Sequence, residues 1–381
     1  MKRVVITGAT GAIGRALIDE CIKNEYEVLA VVHRSSGRVE ELTELDHCQV
    51  LHLDLAEYGN AVEEMKGQGF PIEGYSMFFH LAWAASFGAD RNDLTLQLSN
   101  VQAAVDAVSF AHQIGCSTFV GAGSQAEYGR VGFMEIGKAQ DDRFERNEQK
   151  TGFVPDASMS LQEDKKHRPD TPMTLQENLK HRQDTSVNLC EDLGFCPDTP
   201  VSLREDLKLR PDTPTNPETG YGIAKLCAGQ MTRLAAEKYG MKHIWTRVLS
   251  VYGPHDRAET LISTAVSRML RNEETEFSPC GQIWDYLYEE DAARALLLAG
   301  EKGIHGKNYV VGSGEAHPLR WYVEKIAEIT GYRKEIGFGR RPYNDKQVMH
   351  LVADISELEG DIGFRPKVDF EAGIWKMLSM Y

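Results

Sequence analysis

The chain opens with Lys2-Arg3-Val4-Val5-Ile6-Thr7, then Gly8-Ala9-Thr10-Gly11-Ala12-Ile13-Gly14, then Arg15-Ala16-Leu17: an apolar strand that breaks into evenly spaced glycines and resumes as a helix. The first glycine permits a tight turn, the second removes the Cβ that keeps backbone N–H groups away from a pyrophosphate, and the third lets helix and strand pack closely. The helix N-terminus adds about half a positive charge facing such phosphates. A dinucleotide is the expected ligand, contacted by Gly8, Thr10, Gly11, Ala12, Ile13 and Gly14.

With 381 residues, 42% of them hydrophobic, the chain can bury one large α/β domain and a smaller lobe. The net charge of −15 argues against nucleic acid as partner, because that binding needs a basic surface. No run of about 18 apolar residues is present, so no membrane partner is expected, and the N-terminus lacks a signal-peptide core. A cytoplasmic protein is the expectation. Its seven cysteines are scattered and free of CxxC spacing, which favours reduced thiols over disulfides or a metal site.

Strand-like runs alternate with amphipathic segments through the first 125 or so residues: Val4 to Thr7, Glu27 to Val32, Gln49 to Leu53, Met77 to His80 and Thr118 to Ala122. That alternation predicts a Rossmann-type, doubly wound parallel sheet with helices on both faces. The order breaks at an insertion. Residues 155–210 divide into four 14-residue units, PDASMSLQEDKKHR, PDTPMTLQENLKHR, QDTSVNLCEDLGFC and PDTPVSLREDLKLR, each with a capping-box pattern such as Ser202 with Glu205. Each unit is expected to start a short helix, as a tolerated surface insertion or as a lid or contact arm. Beyond it the α/β pattern returns, with a helix from about Tyr221 to Lys238, a strand near His243 to Ser250, and helices around Leu261 to Leu270 and Asp291 to Ala299. The expected domains are 1–130 with 211–255 for the dinucleotide, 131–210 as insertion, and 256–381 as mainly a substrate lobe.

Chemistry concentrates in Tyr221-Gly222-Ile223-Ala224-Lys225, where Tyr and Lys share a helix face. A phenol titrates near pH 10, and a neighbouring ammonium favours its ionised form. Ser124 ends the fifth strand and puts a hydroxyl at the sheet's carboxyl edge. With the glycine turn, Ser124, Tyr221 and Lys225 read as hydride transfer to or from a nicotinamide, the proton moving through Tyr221.

These segments resemble the extended short-chain dehydrogenase/reductases of the NAD-dependent epimerase/dehydratase family. The likeness covers the TGATGAIG turn, Asp54-Leu55, His80-Leu81-Ala82, Gly123 to Gly129, the stretch ending at Lys225, Ser250 to Pro254, and Trp284 to Tyr288 leading to Asp291. It implies a Ser124/Tyr221/Lys225 catalytic trio, Asn100 as a supporting residue, Asp54 and Leu55 near the adenine, and Leu81, Ala82, Leu249 and Val251 along the cofactor. It also implies a nucleotide-sugar substrate and a homodimer. His80 is read as orienting its loop, Asp285 and Asp291 as structural acids, and Trp83, Arg91 and Arg340 as ordinary solvated side chains, with reach to the sugar or its diphosphate as the alternative.

Departures narrow the reading. The family's 4,6-dehydratases follow the catalytic hydroxyl with Asp-Glu, and here Gln125-Ala126 stands there, so dehydration is not expected. What remains is 4-keto reduction or 4-epimerisation. Trp284 replaces a usual Arg and is available to stack on a base. After the second strand comes His33-Arg34 in place of an acid that binds the ribose 2′-OH, which favours NADP, with NAD as the alternative. The rival reading is a non-catalytic dinucleotide-sensing protein that docks through its repeats.

Overall fold

The computed structural model describes residues 2–130, 208–344 and 346–380. The insertion and its repeats, apart from residues 208–210, lie outside them. Seven parallel strands form the main sheet: β1 (Lys2–Thr7), β2 (Tyr26–Val32), β3 (Cys48–His52), β4 (Tyr75–His80), β5 (Thr118–Ser124), β6 (Lys242–Val248) and β7 (Asn308–Val311). Their spatial order is β7-β6-β5-β4-β1-β2-β3. The chain winds outward from β1 in one direction and then, from β4, in the other, so the order reverses between β1 and β4. In such sheets the crevice beyond the strand ends at the reversal takes the ligand. Thr7 pairs with His80 there, which sets both loop starts side by side.

Helices α1 (Ala12–Lys23), α2 (Glu40–Thr43), α3 (Ala61–Gly67), α4 (Leu94–Gln113), α5 (Gly220–Lys238), α6 (Leu261–Leu270), α7 (Glu289–Lys302), α8 (Leu319–Thr330), α9 (Ser356–Ile362) and α10 (Phe370–Leu378) cover the strands and build the C-terminal lobe. Alternation along β1 divides the core. Val4 and Ile6 join Leu17, Phe79, Leu296 and Phe364 on one face, while Val5 joins Phe78, Phe110 and Phe119 on the other. Both faces are apolar because helices cover both, and each such side chain contributes about 1.5–3 kcal/mol on full burial. A third core under the lobe gathers Ile262, Val266, Phe277, Tyr322 and Ile374.

Outside the insertion, whose expected short helices lie beyond the described residues, the expected strands and helices are present with ends shifted by up to three residues, with two larger differences. The strand expected through Ser250 stops at Val248, and Ser250–Tyr252 pairs instead with Tyr286–Tyr288. The seventh strand of the dinucleotide sheet, Asn308–Val311, comes from the segment assigned to the substrate lobe, and α7 packs on α1. Two valines at the end of a short run signal a strand without saying which sheet it joins.

Gly121 and Gly123 of β5 make room for the Trp245 indole from β6: a Cβ on Gly121 would lie 2.4 Å from Trp245 Cζ3. Both atoms belong to rigid, buried elements, so the strain is not relieved by a rotamer change. Gly121→Ala is expected to destabilise by about 1–3 kcal/mol, seen as a lower thermal midpoint; an unchanged midpoint would show that the indole moves freely.

Candidate functional site

The glycine turn is shaped by what it touches. Gly8 has φ +70°, and a Cβ there would meet Ala82 N at 2.7 Å. At Gly14 it would meet the Gly8 carbonyl oxygen at 2.2 Å. Gly11 differs, since its nearest neighbour is the Gly8 oxygen at 3.3 Å and its outward side is open. It caps α1 with no side-chain hydrogen bond, so the first amides of the helix stay available to a ligand. Thr7 Oγ1 accepts the Leu81 and Ala82 N–H groups at 3.2 Å each, which fixes the opposite wall. This cradle fits a pyrophosphate, with Thr10, Ala12 and Ile13 around it.

At the far end of the crevice the charges are already paired. Asp54 Oδ1 accepts the Arg34 N–H at 2.8 Å and lies 3.5 Å from His33 Nε2. The Arg34 guanidinium is forked onto Glu57 at 3.1 and 3.0 Å and reaches Glu64 at 2.9 Å. The group expected to take a 2′-phosphate thus carries two carboxylates of its own chain. Leu55 starts the turn that supplies Glu57.

Ser124, Tyr221 and Lys225 come together at the carboxyl edge of β5. Thr219 caps α5 by accepting the Gly222 N–H at 3.0 Å, which starts the helix one residue before Tyr221. Burial raises the Tyr221 phenol, against the opposing pull of a hydrogen bond with Ser124 and the charge of Arg91. Burial also pushes the Lys225 ammonium down to about 7, with Glu127 acting the other way. Lys225 Nζ donates to Ala122 O at 2.6 Å, lies 4.0 Å over the Trp83 ring, and stands 5.9 Å from the Tyr221 ring centre. Asn100 clamps Ala84, accepting from its N–H and donating to its carbonyl, both at 2.9 Å. His80 is buried beneath, bonded to Thr7, and held by burial at about 3; it is neutral.

Sequence reasoning passed over the polar group behind Ser124. Glu127, fully buried, accepts the Ser124 N–H at 2.9 Å, the Trp245 indole N–H at 3.0 Å and Arg247 Nε at 2.9 Å. Arg247 also donates to Tyr128 Oη and to Pro211 O, and Tyr128 donates to Arg210 O. The available signal was the pair of glycines on one face of β5, which marks a close, bulky neighbour.

Toward the lobe, Asp285 receives the N–H groups of Ser313, Gly314 and Ala353 and the Ser313 hydroxyl, and burial still lifts its carboxyl above the usual range. Asp291 accepts from Lys367 and Val368 and pairs with Arg294. Both acids tie chain segments together. A hollow of about 280 Å³ lies between Leu249, Val251, Asp256, Thr260 and Tyr286. Trp284 gives its indole N–H to Ser250 at 2.8 Å, and Arg340 sits outside among Glu274 and Glu335. Among the described residues, Cys21, Cys48, Cys116, Cys227 and Cys280 are unpaired, no group of three or more His, Cys, Asp or Glu is placed to hold a metal ion, and no helix is long and apolar enough to cross a membrane.

The Lys225 ammonium is disfavoured in the folded chain, so between its folded value near 7 and its ordinary 10.5 the unfolded chain binds more protons. Stability from this group therefore rises with pH across that window, and the cost is fully present below it. In denaturant melts, the stability of the wild type relative to Lys225→Met should increase from pH 7 to pH 9; a constant difference would contradict a desolvated ammonium.

A family model described as NAD dependent epimerase/dehydratase family matches residues 4–150 and 199–312. A dTDP-glucose 4,6-dehydratase of Salmonella typhimurium is 28% identical over 175 residues, 43% of this chain and 48% of that protein. CDP-abequose synthase of Salmonella muenchen is 29% identical over 136 residues, 35% of this chain and 46% of the synthase. The matched region thus spans about half the length of these curated relatives. The fold matches the UDP-glucose 4-epimerase of Thermotoga maritima, with TM-score 0.69 and 21% identity over 99% of this chain and 97% of that one. It also matches a UDP-N-acetylglucosamine 4-epimerase from Methanobrevibacter ruminantium, with TM-score 0.69 and 18% identity over 100% and 99%. By the extent of the family match and the motifs it contains, the chain belongs to the NAD dependent epimerase/dehydratase family.

Proposed function

We propose that the protein is a nicotinamide-dependent 4-ketoreductase or 4-epimerase of a nucleotide-activated sugar, with Tyr221 carrying the proton. The observation behind this reading is the convergence of Ser124, Tyr221 and Lys225 at the strand edge beside the glycine turn. A dinucleotide in the cradle supplies the hydride acceptor or donor. In the oxidising direction the Tyr221 phenolate would accept the proton of the C4 hydroxyl as hydride leaves the same carbon for the nicotinamide, giving a ketone and a neutral phenol; in the reducing direction the phenol would donate that proton and become the phenolate. Ser124 offers a hydrogen bond to the sugar oxygen, and Lys225 holds the cofactor ribose in this reading. Gln125 and Ala126 supply no second acid–base pair, so the dehydratase activity of the relatives is not carried over.

The cofactor reading moves from NADP to NAD. A 2′-phosphate at Arg34 has to compete with Glu57 and Glu64 for one guanidinium and is repelled by both. Structures of this fold from Bacillus cereus, a UDP-glucuronic acid 4-epimerase, contain NAD. The expected homodimer is assigned to the adjoining faces of α4 and α5, where Leu94, Leu98, Ile223, Met231 and Leu234 are exposed. Two copies placing these stripes together cover an apolar face that a lone chain leaves in water.

A panel of UDP-, GDP-, CDP- and dTDP-linked 4-hydroxy and 4-keto sugars tests the activity. At least one should change nicotinamide absorbance or invert at C4, more efficiently with NAD(H) than with NADP(H). Tyr221→Phe should lower turnover by about 10²–10⁴-fold while dinucleotide binding persists; full activity in that variant sinks the mechanism. Leu98→Glu with Leu234→Glu should convert a dimer to monomer in sedimentation, and an unaltered dimer would place the contact elsewhere.

A further inference from the structure

Arg91 has no role in the chemistry so far. The short turn that carries it, Ala89–Asn92, is fastened to the start of α5: Asn92 Oδ1 accepts the Gly220 N–H at 2.9 Å. Gln97 of α4 reaches the Asp90 carbonyl at 3.5 Å from the other side. Gly220 is tight against it, since a Cβ there would stand 3.1 Å from the Arg91 carbonyl oxygen. The turn is therefore registered to the residue just before Tyr221. Its guanidinium carbon lies 4.6 Å from the Tyr221 ring centre, and its Nε is buried with no hydrogen-bond partner among the described residues.

The cation that the sequence assigns to Tyr221 faces elsewhere. Lys225 Nζ is engaged by the Ala122 carbonyl and the Trp83 ring and is farther from the Tyr221 ring centre, at 5.9 Å. We propose that Arg91 is a positioning residue whose permanent charge, held over the ring face, stabilises the Tyr221 phenolate formed during proton transfer. The proposal rests on Tyr221 being the proton carrier. A guanidinium stays charged at every working pH. Losing the phenolic proton spreads negative charge into the ring, so attraction to a cation over its face grows. An opposite charge within about 4–6 Å lowers such a group by about 1–3 pH units.

Among the described residues, the other groups acting on Tyr221 are Lys225 on its own helix, Glu127 from the turn after β5, and the neutral Ser124 hydroxyl. Glu127 works against ionisation, yet its oxygens already serve Arg247, Trp245 and the Ser124 N–H. The direction of the Arg91 influence on Tyr221 agrees with the geometry, although burial outweighs it.

The test uses the full chain with Arg91→Gln and Arg91→Lys, each checked for an unchanged thermal midpoint. Carbon-13 NMR of ring-labelled tyrosine follows the ionisation of Tyr221, whose resonance is the one lost in Tyr221→Phe. In Arg91→Gln that ionisation should move up by about one pH unit, the matching limb of the pH profile of kcat/KM should move with it, and Arg91→Lys should restore part of the shift. An unmoved Tyr221 titration in Arg91→Gln overturns the proposal alone. Activity surviving in Tyr221→Phe overturns the reading beneath it, and the proposal falls with that.

Discussion

Three absent Cβ atoms govern the crevice. Gly8 lets the first strand turn under the loop that follows β4 and Gly14 lets α1 pack on that turn, both at distances no side chain tolerates, while Gly11 leaves the outer side of the turn open. The reversal of strand order puts that turn beside β4, and the Thr7 hydroxyl then ties both walls with two hydrogen bonds. Helix α1 begins with bare amides as a result. The binding geometry and the packing geometry are one constraint here, so a bulkier residue at Gly8 or Gly14 damages both.

Charge buried behind the site is handled by pairing, and where pairing is absent it is handled by neutrality. Glu127 and Arg247 are both almost completely enclosed, and between them they engage Ser124 of β5, Trp245 of β6, the Tyr128 hydroxyl and the returning chain at Pro211. Removing one partner of such a pair commonly costs about 3–5 kcal/mol, because the other charge is left without water or counterion. Lys225 donates to a carbonyl and lies over an indole face, and burial disfavours its ammonium; His80, bonded to Thr7 and buried, is neutral. Arg91, Lys225 and Tyr221 thereby form a small electrostatic unit in which the permanent charge and the labile ones come from different elements.

Much of this was legible before any coordinates. The glycine turn, the parallel sheet, the placement of Ser124 and the setting of Tyr221 and Lys225 one helical turn apart follow from short-range patterns, because strand-to-helix turns and i,i+4 spacing are local properties of the chain; the direction in which the Lys225 ammonium points does not. Non-local features were not legible. Nothing in Val310-Val311 says that this strand closes the far edge of the main sheet, nor does Glu127 announce a partner 120 positions away at Arg247. Arg34 shows the same limit from the other side: its identity suggests an anion site, whereas its surroundings supply the anions themselves, from Glu57 and Glu64 in elements after β3.

That paired arginine has a consequence for how the protein responds to its medium. The Arg34, Glu57 and Glu64 side chains are all partly open to water, and attractions between such groups fade as dissolved ions crowd around them, over about 8 Å at physiological ionic strength. Concentrated salt loosens the fork, frees an arm of the guanidinium and dulls the carboxylates at the same time. This end of the crevice is tuned by the surrounding electrolyte as well as by the residues that line it.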